Sequence, residues 1–486
     1  MGNVATSRKG ERRLSLPSKD MMAAIAVTRF GLGARPGEIE TARADPRGFL
    51  VDQIRHDGAD LPRDSGETSA QRLAQIRDYE QLRKMERDRK DGQAGATAAN
   101  APLDKADPLK DARRVLRDKV GDDFLARARL GTNTPAAFRE RWALFWANHF
   151  TVSATEQITA VQIGPFEREA IRPNAFGGFE SLLIAASTHP AMLTYLDQAQ
   201  SIGPNSQAAA AAARRNGRKV GLNENLAREI LELHTVGVDA GYRQADVTEF
   251  ARALTGFSIG RDAEDRAGQF VFRENAHEPG GRTILGRHYG RQGMEQGLSV
   301  LRDLAADPRT ARHVCGKIAR HFVSDTPSPI LTARLEKRWI ETGGDLARVA
   351  KALIESPEAW DPTPAKFKTP YEYTLSTWRL IGAEPSALDR LAPILVGLGQ
   401  KPFSPPSPKG WPDDAQTWAA PDALIKRMQW AQGFAAVVAD RTDPNDLAVQ
   451  ALGARLTPAV AKAVSRAETR KEAFALLVMS PEFQRR

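Results

Sequence analysis

The chain has 486 residues, of which 41% are hydrophobic and 27% charged, a composition ordinary for a water-soluble globular protein with a sizeable core. Its net charge of +9 is spread along the whole length without a recognisable recognition motif, which argues against nucleic acid as a partner. Cys315 is the single cysteine, which excludes an intramolecular disulfide and a thiolate-rich metal site.

Residues 1–19 read as a basic tail. Arg12 and Arg13 form a twin-arginine pair, but Pro17, Ser18, Lys19 and Asp20 interrupt the apolar core that an export signal requires. A cytoplasmic location is therefore favoured. No apolar run approaches the length of a membrane-spanning helix.

Helix-start signals recur after the tail. Asp45-Pro46, Thr134-Pro135, Asp307-Pro308 and Ser356-Pro357 each read as an N-cap followed by proline in the first turn. Residues 68–91 predict a charged helical arm, with both signs at three- and four-residue spacing, and 92–108 have linker composition. Phe138, Trp142, Phe145 and His149 share one helical stripe. Residues 203–221 read as a mobile Ala/Arg loop.

Residues 222–256 hold the densest polar pattern. Asn223, Glu224, Asn225, Arg228, Glu229, Glu232 and His234 share a helix that ends near Gly237, and a second helix follows with Val247, Phe250, Ala251 and Leu254 inward. One small hairpin is expected from Gln269–Phe272 and Arg282–Leu285, joined by a loop carrying His277 and Glu278. In ARHVCGKIARHF, Val314, Ile318 and Phe322 face inward and Cys315 lies beside them as a small buried thiol. The proline-rich stretch 401–418 is extended, with Trp411 and Trp418 as anchors. The fold expected is mainly α: one large multi-helix domain over 20–486, a small β-hairpin and the charged arm.

Several segments carry a family likeness: FGLGARPGE, RWALFWANHFTVS, PAMLTYLDQAQS, LNENLAREILELHTVGVDAGY, HEPGGRTILG, KFKTPYEY, LGQKPFSPPSPKGWP and LLVMSPEFQRR. Together they resemble the bacterial family catalogued as domain of unknown function 1800. The resemblance implies an all-helical protein. It also implies relatives that are often exported, and a partner from a second uncharacterised, sulfatase-like family encoded nearby. It supplies no catalytic residues.

The residues themselves suggest a polar pocket. On a helix, Asn225, Glu229 and Glu232 fall along one face, which would present two carboxylates to a shared proton or a metal. Glu229, Glu232, His277 and Glu278 are the catalytic candidates. Asn223, Asn225, Arg228 and Asn148 are the candidates for holding substrate. His149, Glu229 and His277 would suit a divalent transition metal if the His277 loop folds onto the helix. The competing readings are structural: His149 as a core histidine bonded to a carbonyl, His234 as a cation at a helix C-terminus, and the carboxylates as an ion-pair network. No Gly-x-Ser-x-Gly elbow, Walker loop or dinucleotide fingerprint is present. The pocket would bind or process a polar small molecule or saccharide. The alternative is a non-catalytic accessory protein that docks its partner through the arm or the proline–tryptophan stretch.

Overall fold

The computed structural model describes residues 16–93, 107–216, 221–261, 264–439 and 443–486. Most of the expected basic tail, most of the linker and the end of the Ala/Arg loop lie outside the described residues. Among the described residues, no helix is long and apolar enough to cross a membrane.

Local capping sets the helix starts. Ser18 accepts from the Met21 amide and opens α1 (Lys19–Ile25), which widens into a π turn, Ala26–Phe30, buried along its whole length. Asp45 and Asp307 cap their helices as expected. Thr134 does not: it ends the preceding helix, its Oγ1 takes the Ala136 amide, and the next helix opens only at Ala137. Ser356 caps no helix through its side chain, because its hydroxyl donates back to Ala352.

The charged arm is a helix pair. Helix α2 (Ser69–Gln93) returns as α3 (Pro108–Asn133), and the pairings Arg72–Asp123, Gln75–Lys119 and Ile76–Leu116 make the two antiparallel. The arm is solvated only towards its outer part. Its root is dry: Arg72 is fully buried between Asp123 at 3.0 Å and Glu67 at 2.8 Å. Farther out, Met85 (66%) and Val115 (48%) are exposed.

Helix α4 (Ala137–His149) carries the predicted stripe into the centre, where Phe138, Trp142, Phe145, Trp146 and His149 are all buried. The polar stretch forms α5 (Asn225–Glu229), which opens into a π turn, Ile230–His234. That turn ends at Gly237, whose φ of +88° lets its amide reach the Leu231 carbonyl at 2.9 Å. Helix α6 (Gln244–Leu254) packs back along α5.

The single hairpin expected here is two. Strand β1 (Phe257–Ile259) takes β2 (Phe270–Phe272), and β3 (Arg282–Ile284) takes β4 (Arg287–Tyr289), both antiparallel. Leu285 (φ 51°) and Gly286 (φ 80°) form a two-residue turn of the hand that suits strand twist, so β3 folds onto its immediate neighbour. Phe257 meanwhile brings its ring to 5.2 Å from Phe270, and this aromatic contact claims β2.

Helices α7 (Met294–Ala306) and α8 (Pro308–Phe322) follow, with Val314, Cys315, Ile318 and Phe322 fully buried. Helix α9 (Pro370–Leu380) joins two apolar cores. Tyr371 and Leu375 belong to the main core, built around α1, α4 and α8, whereas Tyr373 and Leu380 enter a second core. That second core also takes α10 (Pro421–Val438) and α11 (Arg470–Met479). The described residues are mainly helical, with two small two-stranded sheets among them.

Candidate functional site

The polar residues of α5 close their own surroundings. Asn223 accepts the Asn225 amide at 2.8 Å and donates to the Leu196 carbonyl at 3.2 Å, while Asn225 is exposed. Glu224 accepts from Thr248 at 2.6 Å and from Gln244 at 2.7 Å, tying α5 to α6. Arg228 lies between Glu224 at 3.2 Å and Glu232 at 3.5 Å. Burial, and then the Glu232 charge, push the Glu229 carboxyl above its usual range. Burial and Glu229 in turn raise the Tyr195 phenol to about 12.

The histidines disperse. His149, 2% exposed, bonds through Nε2 to the His234 carbonyl at 3.1 Å, so Nε2 is the protonated nitrogen and Nδ1 has no partner. His234 is no C-terminal cation. Burial, reinforced by Lys317, lowers it to about 3, and neither ring nitrogen finds a hydrogen bond. Desolvation here outweighs the helix dipole.

The His277 loop is buried rather than exposed, with His277 at 7% and Glu278 at 2%. His277 bonds through Nδ1 to the Thr255 carbonyl at 2.9 Å. The two Glu278 carboxylate oxygens accept from the backbone and side chain of Asn205 at 2.8 and 2.6 Å. The carboxylate is spent on fixing a neighbouring loop. Among the described residues, no group of three or more His, Cys, Asp or Glu side chains is arranged to hold a metal ion. His149, Glu229 and His277 therefore form no such group.

A cavity of about 110 Å³ lies instead on the other side of α4. Its wall is mostly apolar, from Leu144, Ile163, Phe166, Leu395 and Phe403 among others, with Arg141, His321, Glu372 and Asp413 meeting at one end. Of the nine candidates named from sequence, Asn148 is the one among the described residues that lines it. Its amide serves to hold the roof: Oδ1 accepts the Trp411 amide at 2.8 Å and Nδ2 donates to the Trp411 carbonyl at 3.1 Å. Gly410 (φ +86°) allows this approach, since a Cβ there would sit 2.5 Å from the Asn148 carbonyl oxygen. Trp418 anchors the same stretch by donating to the Pro412 carbonyl at 2.8 Å. Phe403, a bulky residue at φ 50°, holds strained backbone in the wall, a feature common at functional sites.

The polar end is built from remote segments. His321, in the last turn of α8, donates through Nδ1 to Asp413 at 3.0 Å and accepts through Nε2 from Arg141 at 3.3 Å. Burial lowers His321 to about 4 despite Asp413, so the ring is neutral. Asp413 stays ionised: His321, Lys366 and Arg486 outweigh its burial. Glu372 is the N3 residue of the capping box that opens α9, and it also pairs with Arg486 and stands 3.6 Å from Arg141. Burial opposes its ionisation, but Arg486 and Arg141 prevail and hold it down at about 2.

Arg141 is fully buried and directs its donors to neutral acceptors: the Arg29, Gly31 and His321 carbonyls and the His321 ring. Burial and the Arg486 charge lower it to about 9, against the opposing charges of Glu372 and Asp413. Farther along the wall, Arg127 lies 4.9–5.2 Å over the Phe124, Tyr371 and Phe403 rings and pairs with Glu167 at 2.6 Å.

Sequence reasoning missed Arg141, His321, Glu372, Asp413 and Arg486 as site residues. Four of them lie within or beside the likeness-bearing segments RWALFWANHF, KFKTPYEY, SPPSPKGWP and SPEFQRR, and the convergence of those segments was the available signal. No curated protein and no solved structure matches this chain. A match to the family described as Protein of unknown function (DUF1800) runs over residues 25–485, nearly the whole chain, and the protein belongs to that family.

Proposed function

We propose that the protein binds a small organic acid in the cavity beneath Trp411, with the acid group at the Arg141–His321 end. The observation that carries this reading is Arg141: a buried guanidinium in the polar wall of an otherwise apolar cavity, whose carboxylate partner, Glu372, stands back at 3.6 Å. Pockets of this kind, apolar with a few convergent polar groups, are the usual form of small-molecule sites. A volume near 110 Å³ suits a single ring, and the apolar wall favours a ring compound over a saccharide. The two lining threonines are already committed, Thr151 to the Asn148 carbonyl and Thr369 to the Glu372 amide.

Benzoate is the test ligand and benzyl alcohol its uncharged control, each read by thermal shift and by Trp411 fluorescence. Benzoate should stabilise the protein and benzyl alcohol should do so far less, and Ala147→Leu, which fills the cavity without touching its charged end, should abolish the effect. Equal shifts from both ligands, or an unchanged benzoate shift in Ala147→Leu, would sink the reading. The accessory-protein reading draws on a different observation, the exposed apolar side chains of Met85 and Val115 on the arm. It predicts that a Met85→Asp, Val115→Asp variant loses the sulfatase-like partner in co-purification while still binding benzoate.

A further inference from the structure

Helix α8 carries a lysine that has no partner among the described residues. His313, Lys317 and His321 stand one turn apart along one face of α8, with Arg320 beside Lys317 at three-residue spacing. His321 ends that face at the cavity beneath Trp411, which Lys317 does not line. Lys317 is half-buried. Its Nζ makes neither a hydrogen bond nor an ion pair with the described residues, yet it is not sealed from solvent. Two lysines buried more deeply are provided for. Nζ of Lys366 meets Asp325 at 2.6 Å and Asp413 at 3.1 Å, and Nζ of Lys368 donates to Ser376 at 3.1 Å.

The charges nearest Lys317 are mostly of its own sign. Arg320 follows it on α8, and Lys409 comes from the roof segment that carries Gly410. Both are exposed, and neither has an ion pair among the described residues. The carboxylate whose charge acts on Lys317 is Asp413, which is already shared by His321 at 3.0 Å and Lys366 at 3.1 Å. The field of Lys317 also reaches His149 of α4, His234 of the π turn and His313. Burial holds all three histidines neutral, so they add no counter-charge. Burial, and then the Lys409 charge, lower the Lys317 amine to about 8. Desolvation and a neighbouring cation are the two means by which a lysine amine becomes a nucleophile.

We infer that Lys317 captures a small 2-oxo acid as an imine, with the carboxylate of the acid towards Arg320 and Lys409. The amine lone pair adds to the carbonyl carbon and gives a carbinolamine. Both Nζ protons and the carbonyl oxygen then leave together as one water, and a C=N bond remains; nothing is oxidised or reduced. A plain anion would use the cations but not the amine. A neutral ketone would use the amine but not the cations.

Reductive trapping with cyanoborohydride tests this on the full chain. Pyruvate is the probe and acetone its uncharged control, at neutral pH, with each alkylated lysine followed by peptide mass spectrometry. Lys462 and Lys471, both exposed, are the internal references. Pyruvate should label Lys317 about tenfold or more faster than either reference, because far more of its amine is uncharged. With acetone that preference should shrink several-fold. Lys409→Gln, a change at an exposed position, should slow pyruvate labelling of Lys317 several-fold. The inference is overturned if Lys317 is labelled no faster than the references, if acetone shows the same preference as pyruvate, or if Lys409→Gln leaves the pyruvate rate unchanged.

Discussion

The polar stretch at 222–256 and the polar end of the cavity beneath Trp411 spend similar side chains on opposite tasks. In the stretch, charges pair at helical spacing near the surface: Glu224 and Arg228 retain 29% and 36% of their side-chain exposure. Around the cavity, Arg141 and Arg486 keep 1% and reach partners more than a hundred residues away. The first arrangement is local and screened by water. The second has no solvent to fall back on, so each partner must be present for the others to be tolerated. A dense run of polar residues in sequence is therefore a weak sign of a site, whereas scattered charges that meet in a dry interior are a stronger one.

Glu372→Gln breaks the comparison most sharply. It leaves Arg486 and Arg141 buried with one carboxylate fewer and should cost about 3–5 kcal/mol in urea unfolding. A loss below about 1 kcal/mol would mean that the cavity network behaves like a surface one. Gly410→Ala comes next. At φ +86°, with a Cβ 2.5 Å from the Asn148 carbonyl oxygen, alanine should cost on the order of 2 kcal/mol and shift the Trp411 emission.

The same contrast explains what could be read from the sequence. Helix boundaries set by Asp45 and Asp307 follow from side chains within a few residues of the amides they cap, as does the buried stripe of α4. The π turn that ends at Gly237 was legible as a helix terminus, because Gly237 carries its own conformational requirement. The partner of β2 was not legible, since the choice between β1 and β3 was made by a Phe257–Phe270 contact and by a turn at Leu285–Gly286. The His321–Asp413 and Arg141–Glu372 meetings were hidden for a similar reason, as sequence spacing carries no record of which distant segments pack together. Asn148, read from the sequence as a substrate-holding residue of the pocket on α5, lines the cavity beneath Trp411 instead, and its amide holds Trp411.

His234 separates the two regions by pH. Its two ring nitrogens are buried without partners, so His234→Leu removes a desolvation cost and should stabilise the protein at pH 7 by about 1–3 kcal/mol. The acid limb carries a second signature. Burial holds His234 at about 3, and His313 and His321 at about 4, so below pH 6.5 the unfolded chain binds protons that the folded chain refuses. Stability then falls as pH drops from about 6.5 towards 4, and each such histidine adds a slope of about 1.4 kcal/mol per pH unit. Below that window Glu372, held at about 2, extends the loss, because its carboxylate is protonated more readily in the unfolded chain. His234→Leu should flatten the limb between pH 6.5 and about 3 by one proton and leave the part below pH 3 unchanged. Arg228→Gln, which removes only half-exposed pairs, should alter stability by about 0.5 kcal/mol and leave the whole pH profile in place. If Arg228→Gln instead matched Glu372→Gln in cost, α5 would be as dry as the cavity wall, and the distinction between the two regions would fail.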